Sequence, residues 1–127
     1  MRKLIFTVVI IVGCYYLGKY FIKSGNFDKL LQNYKNPFLV PRIEYYLGHI
    51  NLILNKPQQA EYRFQRVLKN YPETKFAPAS LYYLAKLHQE KDINKAIQEY
   101  NILIEKWPDS KYANIAVKAI EILKYAK

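Results

Sequence analysis

His49 and His88 are the residues of this chain best suited to metal or acid–base chemistry. Imidazole titrates near neutrality and ligates zinc, so two histidines on neighbouring helices of a repeat are the first place to look. Zinc needs more ligands than two, and no Cys, His or Asp cluster supplies them. The other reactive groups are three serines, two threonines and three aspartates, scattered over 127 residues. Glu90 and Asp92 are paired carboxylates in a polar turn, where solvation is the ordinary role. There is no glycine-rich loop to cradle a phosphate. The pattern predicts no catalytic residue, no metal ligand set and no cofactor site; convergent reactive groups, the requirement for catalysis, are missing.

The rest of the composition favours helices. Leucine, isoleucine, lysine and alanine are abundant and glycine is scarce. Thirteen tyrosines add large amphipathic side chains, suited to helix packing and to binding surfaces. The formal charge of +10 is uneven: residues 1–75 hold twelve Lys/Arg against four Asp/Glu, and residues 76–127 hold eight against six. Such a balance attracts anionic lipid or an acidic protein. A dense arginine cluster is absent, which argues against nucleic acid as the partner.

Residues 4–22 form a nearly continuous apolar run behind Arg2 and Lys3. As a helix it would be about 28 Å long, close to the ~30 Å of bilayer hydrocarbon. Lys19 lies near the far end and can snorkel; Tyr15, Tyr16 and Tyr20 suit an interfacial belt. Residues 1–23 therefore read as a single-pass membrane anchor. Two other readings compete. "IVGC" at 11–14 resembles a lipobox, which would make Cys14 a lipidated first residue of an outer-membrane lipoprotein; the third reading is a cleaved secretory signal. The apolar "YYLGKYFI" after Cys14 favours the anchor. Cations flank the run on both sides, but the short basic head places the remainder outside the cytoplasm, in a periplasmic or other extracytoplasmic space.

Residues 24–40 read as a linker with a short helix, its apolar stripe being Phe27, Leu30, Leu31 and Tyr34. Beyond it the chain repeats itself. "AEYRFQRVLKNYP" starts at Ala60 and "AIQEYNILIEKWP" at Ala96, thirty-six residues later. "YYLG" at 45–48 likewise answers "YYLA" at 82–85. Ala60, Phe64, Val67, Leu68 and Tyr71 make one stripe of an amphipathic helix, with Arg63, Arg66 and Lys69 off it. Pro72 and Pro108 stop their helices, and Thr74 and Ser110 offer side-chain caps for the next. Residues 111–126 look like a terminal cap, with Ile115, Ala119, Ile120 and Leu123 inward and Lys118, Glu121 and Lys124 toward water. The expected class is all-α: two helix-turn-helix units at 41–74 and 78–110 and a capping helix, forming a short solenoid over residues 41–127 behind the anchor.

These residues resemble the tetratricopeptide repeat, a helix-turn-helix unit of about 34 residues. Leu47, Gly48, Ala60, Phe64 and Pro72 stand at its signature positions, as do Leu84, Ala85, Ala96, Tyr100 and Pro108. The endings "YPETK" and "WPDSK" look like the subtype of bacterial envelope proteins, such as outer-membrane-assembly lipoproteins and the Tol–Pal-associated coordinator. The resemblance implies a non-catalytic scaffold whose first helices line a binding groove. It puts Arg42, Tyr45, His49 and Leu52 of the first unit on that groove, with Tyr82, Lys86 and Gln89 of the second, and makes His88 a packing residue. The implied partner is a protein, either an acidic peptide or a subunit of a membrane complex under assembly; the chain's own N-terminal helix is a competing occupant.

Overall fold

The computed structural model describes residues 1–126. Among the described residues every regular element is an α-helix, in the order α1 (Arg2–Lys23), α2 (Asn26–Asn33), α3 (Val40–Ile53), α4 (Pro57–Asn70), α5 (Phe76–Gln89), α6 (Ile93–Lys106) and α7 (Lys111–Tyr125). The chain divides into two compact units, Met1–Asn36 and Pro37–Lys127.

In the first unit, α1 has 22 residues, all exposed. It is long and apolar enough to cross a membrane, a property that a signal sequence shares. The helix ends at Ser24, whose hydroxyl donates to the Phe21 carbonyl at 2.9 Å. Gly25 follows at φ 75°, a left-handed conformation that glycine adopts without steric cost. The Phe21 and Phe27 rings meet edge-on across this turn, 6.4 Å apart. The stripe expected on α2 is narrower than its spacing suggests. Leu31 is buried and Phe27 half-buried, but Leu30 and Tyr34 are more than half exposed.

In the second unit each helix packs on the next from α3 to α7, and α5 also touches α3 and α7. The first helices of the repeats, with α7, thus form one layer, and α4 and α6 form the other. An all-α stack of consecutive hairpins is consistent with a tetratricopeptide-like solenoid. Pro41 and Pro57 sit in the first turns of α3 and α4, where no amide hydrogen is needed. Pro72 and Pro108 lie two residues beyond the ends of α4 and α6. Ser110 caps α7 by accepting from the Tyr112 amide, and Asp92 caps α6 by accepting from Lys95. Thr74 does not cap α5. Its hydroxyl instead donates to the Tyr71 carbonyl at 2.8 Å, and the cap position falls to Lys75.

The core is built where the helices cross. Ala60, Ala85, Ala96 and Ala116 are wholly buried, and their small side chains let backbones approach. Phe64 and Tyr100 fill the space beside them, with Leu84, Leu103, Ile120 and Leu123. On α7 the buried stripe is Ala113, Ala116, Ile120 and Leu123; Ile115, expected inward, is 41% exposed. Its position lies one helical step off the face that meets α6.

Two polar clusters lie against this core, the first buried and the second partly exposed. Glu44 of α3 is fully buried and accepts from Arg63 Nη1 at 3.0 Å and Arg66 Nε at 2.7 Å, both on α4. Those arginines lie off the apolar stripe of α4. Burial alone would lower the Arg66 guanidinium, but the Glu44 carboxylate reverses that and holds it above its usual range. In the second cluster His88 of α5 presents Nδ1 to Glu99 of α6 at 2.8 Å and Nε2 to Glu61 of α4 at 3.2 Å. Lys95 Nζ also reaches Nε2, at 3.3 Å.

Candidate functional site

The layer made by α3, α5 and α7 carries a continuous aromatic surface. Tyr45 on α3 lies 4.6 Å from the His49 ring, 5.4 Å from Phe76 and 6.3 Å from Tyr83. His49 stands edge-on to Tyr83 at 4.2 Å, and Tyr83 stacks on Phe64 at 5.9 Å. Tyr83 continues to Tyr82 and to Tyr112 of α7, and Tyr82 meets Tyr112 at 5.5 Å. Each half-buried ring has one side on the core and another toward solvent. Rigid amphipathic contact area of this kind, held at low entropic cost, is what recognition surfaces use.

Cations decorate the same layer. Lys75 sits 5.5 Å over the Phe76 ring, Lys86 5.8 Å over Tyr82, and Lys111 5.2 Å over Tyr112. Arg42 is exposed one turn before Tyr45. Carboxylates are nearly absent here. The helices α3, α5 and α7 contain only Glu44, buried between two arginines, and Glu121.

The phenols are neutral donors across the physiological range. Burial raises Tyr45 well above the ordinary tyrosine value, and the adjacent Tyr112 hydroxyl adds to this. Tyr82 and Tyr83 are raised for the same reasons, burial first and Tyr112 second. Burial lowers His49, so its imidazole is neutral near pH 7 and contributes aromatic surface rather than charge.

The seven residues expected on the groove divide between two places. Tyr45 and His49 join the cluster around Tyr83, and Leu52, one turn on from His49, packs against the core. Tyr82, Lys86 and Gln89 line a pocket of about 140 Å³, together with Tyr100 of α6 and Ala119, Ile122 and Leu123 of α7. Tyr83, Phe76 and Tyr112 belong to the surface but were not anticipated. Tyr83 follows Tyr82 directly, and a single spacing rule assigns only one of two adjacent tyrosines to a face. Tyr112 had a sequence signal, since it repeats Phe76 thirty-six residues later.

The two histidines have separate surroundings, aromatic for His49 and charged for His88. Glu61 and Glu99 approach opposite nitrogens of the His88 ring, so they do not converge on one point. Among the described residues no group of three or more His, Cys, Asp or Glu could hold a metal ion. Cys14 lies exposed within α1.

With this geometry in place, the comparison with known families agrees with the fold. The tetratricopeptide repeat family model matches residues 45–74 and 79–110, which take in all of α4 and α6 and most of α3 and α5. The two matches support a tetratricopeptide-repeat protein, a family of protein-interaction scaffolds. No curated protein matches the chain.

Proposed function

We propose that this protein is a membrane-anchored scaffold that holds an acidic segment of another protein against the α3–α5–α7 face. The observation that carries the reading is the pairing of three lysines with three aromatic rings on a face almost free of accessible carboxylates. Such a surface offers ammonium groups and neutral phenols as donors to carboxylates, with ring faces for apolar contact. In this reading α1 is the anchor, and the solenoid works outside the cytoplasm as an assembly factor or accessory subunit of a membrane or envelope complex. Tethering raises the partner's effective concentration at the membrane without adding contacts. The helix runs unbroken through Cys14 to Lys23, which suits an anchor better than a lipidated terminus at Cys14.

The test is recovery of partners from native membranes in mild detergent. Wild-type protein retains a partner that Arg42→Glu loses, because reversal puts a carboxylate on the binding face. Equal recovery by both would move the interaction to another surface. Alkaline carbonate extraction checks the anchor independently: the chain stays with the membrane pellet if α1 spans the bilayer, and is released if it does not.

A further inference from the structure

The pocket between α5, α6 and α7 differs in chemistry from the rest of the aromatic face. Its α7 wall is aliphatic, formed by Ala119, Ile122 and Leu123. Ile122 is 69% exposed, so a large apolar side chain stands in water at its rim. On the opposite side the Tyr100 hydroxyl donates to Gln89 Oε1 at 3.2 Å. That bond occupies the Gln89 carbonyl and leaves its amide NH₂ as a donor. The Lys86 ammonium is a second donor beside it. The pocket therefore combines an aliphatic wall with polar groups that donate, and no carboxylate lines it.

Its volume, about 140 Å³, sets the size of the occupant. An apolar cavity of about 150 Å³ is known to accept benzene. A leucine or phenylalanine side chain is of this scale, and a sugar or nucleotide is too large. The donors at the mouth favour an anionic acceptor next to the apolar group. A peptide continues along the aromatic surface toward Tyr83 and Tyr45.

The geometry points to a specificity pocket that takes one leucine- or phenylalanine-sized side chain of the bound acidic segment, with the carboxylate of a neighbouring residue on Lys86. This inference rests on the reading that the α3–α5–α7 face binds an acidic segment. It adds that the segment is recognised by an apolar anchor and not by charge alone.

The test uses the full chain in phosphatidylcholine nanodiscs and fluorescence anisotropy. One labelled probe is a ten-residue peptide of glutamate and serine with a single central leucine; the second has serine in place of that leucine. Burying a leucine side chain predicts binding at least about tenfold tighter for the first peptide. Ala119→Leu fills the pocket and brings the leucine peptide down to the level of the serine peptide, whose affinity does not change. Ile122→Ser sits at an exposed position where folding is not at stake, and it weakens the leucine peptide selectively. Lys86→Gln weakens both. If wild-type protein binds the two peptides equally, or if the leucine peptide keeps its full advantage in both pocket variants, the pocket inference is overturned and the charged groove stands. If neither peptide binds, the pocket inference is likewise overturned, and if Arg42→Glu also leaves partner recovery intact, the groove reading falls with it.

Discussion

The two hairpins occupy equivalent places in one repeat but are locked by different means. At the helix crossing, Gly48 meets Phe64 in the first hairpin, and Ala85 and Tyr100 hold the equivalent positions in the second. A Cβ added at Gly48 would lie 2.5 Å from the Phe64 ring, so that crossing admits no methyl group. The second crossing accommodates one. The polar locks differ more. Position 63 carries an arginine and its equivalent, position 99, a glutamate. The partner on the first helix changes accordingly: Glu44 near the start of α3 for Arg63, and His88 near the end of α5 for Glu99. The first lock joins the two helices of its own hairpin, α3 and α4. The second also reaches Glu61 of α4, so it ties the hairpins together. The repeat thus constrains the apolar crossing closely, while each polar position needs only a partner that completes its hydrogen bonds.

The strongest way to break this comparison is to remove Glu44. Glu44→Ala takes away the buried carboxylate that Arg66 donates to at 2.7 Å, which predicts a loss of about 3–5 kcal/mol in urea unfolding. His88→Ala removes hydrogen bonds whose partners can reach water or Lys95, and costs less, about 1–3 kcal/mol. Equal costs would show that the two locks are equivalent after all. A smaller effect sharpens the crossing. Gly48→Ala destabilises by about 1–3 kcal/mol because the Phe64 ring must shift, and adding Phe64→Leu recovers part of that loss. The mirror change, Ala85→Gly, costs about 1 kcal/mol through helix propensity. A stabilising Gly48→Ala would mean that the ring moves freely.

The smallest expected effect is a pH dependence confined to the first hairpin. Burial among Tyr45, Phe64 and Tyr83 lowers His49 in the folded state below its unfolded value near 6.5. The unfolded chain therefore binds the proton more readily. Stability from this group is present above about pH 6.5 and lost as the pH falls below it. His49→Phe removes the titration, so the mutant loses less stability than wild type between pH 7 and 5. Hydrogen exchange would place the difference in α3 and α4. An identical acid response in the two proteins would assign the effect elsewhere.

Much of the fold was legible in the chain. The stripe from Ala60 to Tyr71, its echo from Ala96, and the prolines after each hairpin are local signals, since helical periodicity and proline's missing amide hydrogen act over a few residues. The candidate site was legible in part. Tyr45, His49, Tyr82 and Lys86 are named through the resemblance to the tetratricopeptide repeat, but the gathering of Tyr83, Phe76 and Tyr112 around them is not. Thr74 illustrates a closer limit: a shift of one residue in the start of α5 turned an expected cap into a turn hydrogen bond.

By itself the sequence determined an apolar N-terminal helix, two alanine-crossed hairpins and a closing helix, because spacing along a helix sets which side chains share a face. Only the tertiary structure decided that Glu44 would be buried between two arginines and that Lys86, Gln89, Tyr100 and Ile122 would border one pocket. The reason is distance along the chain. These contacts join residues nineteen or more positions apart in the first case and three different helices in the second. Partners across such loops depend on how whole helices stack, which no local pattern encodes.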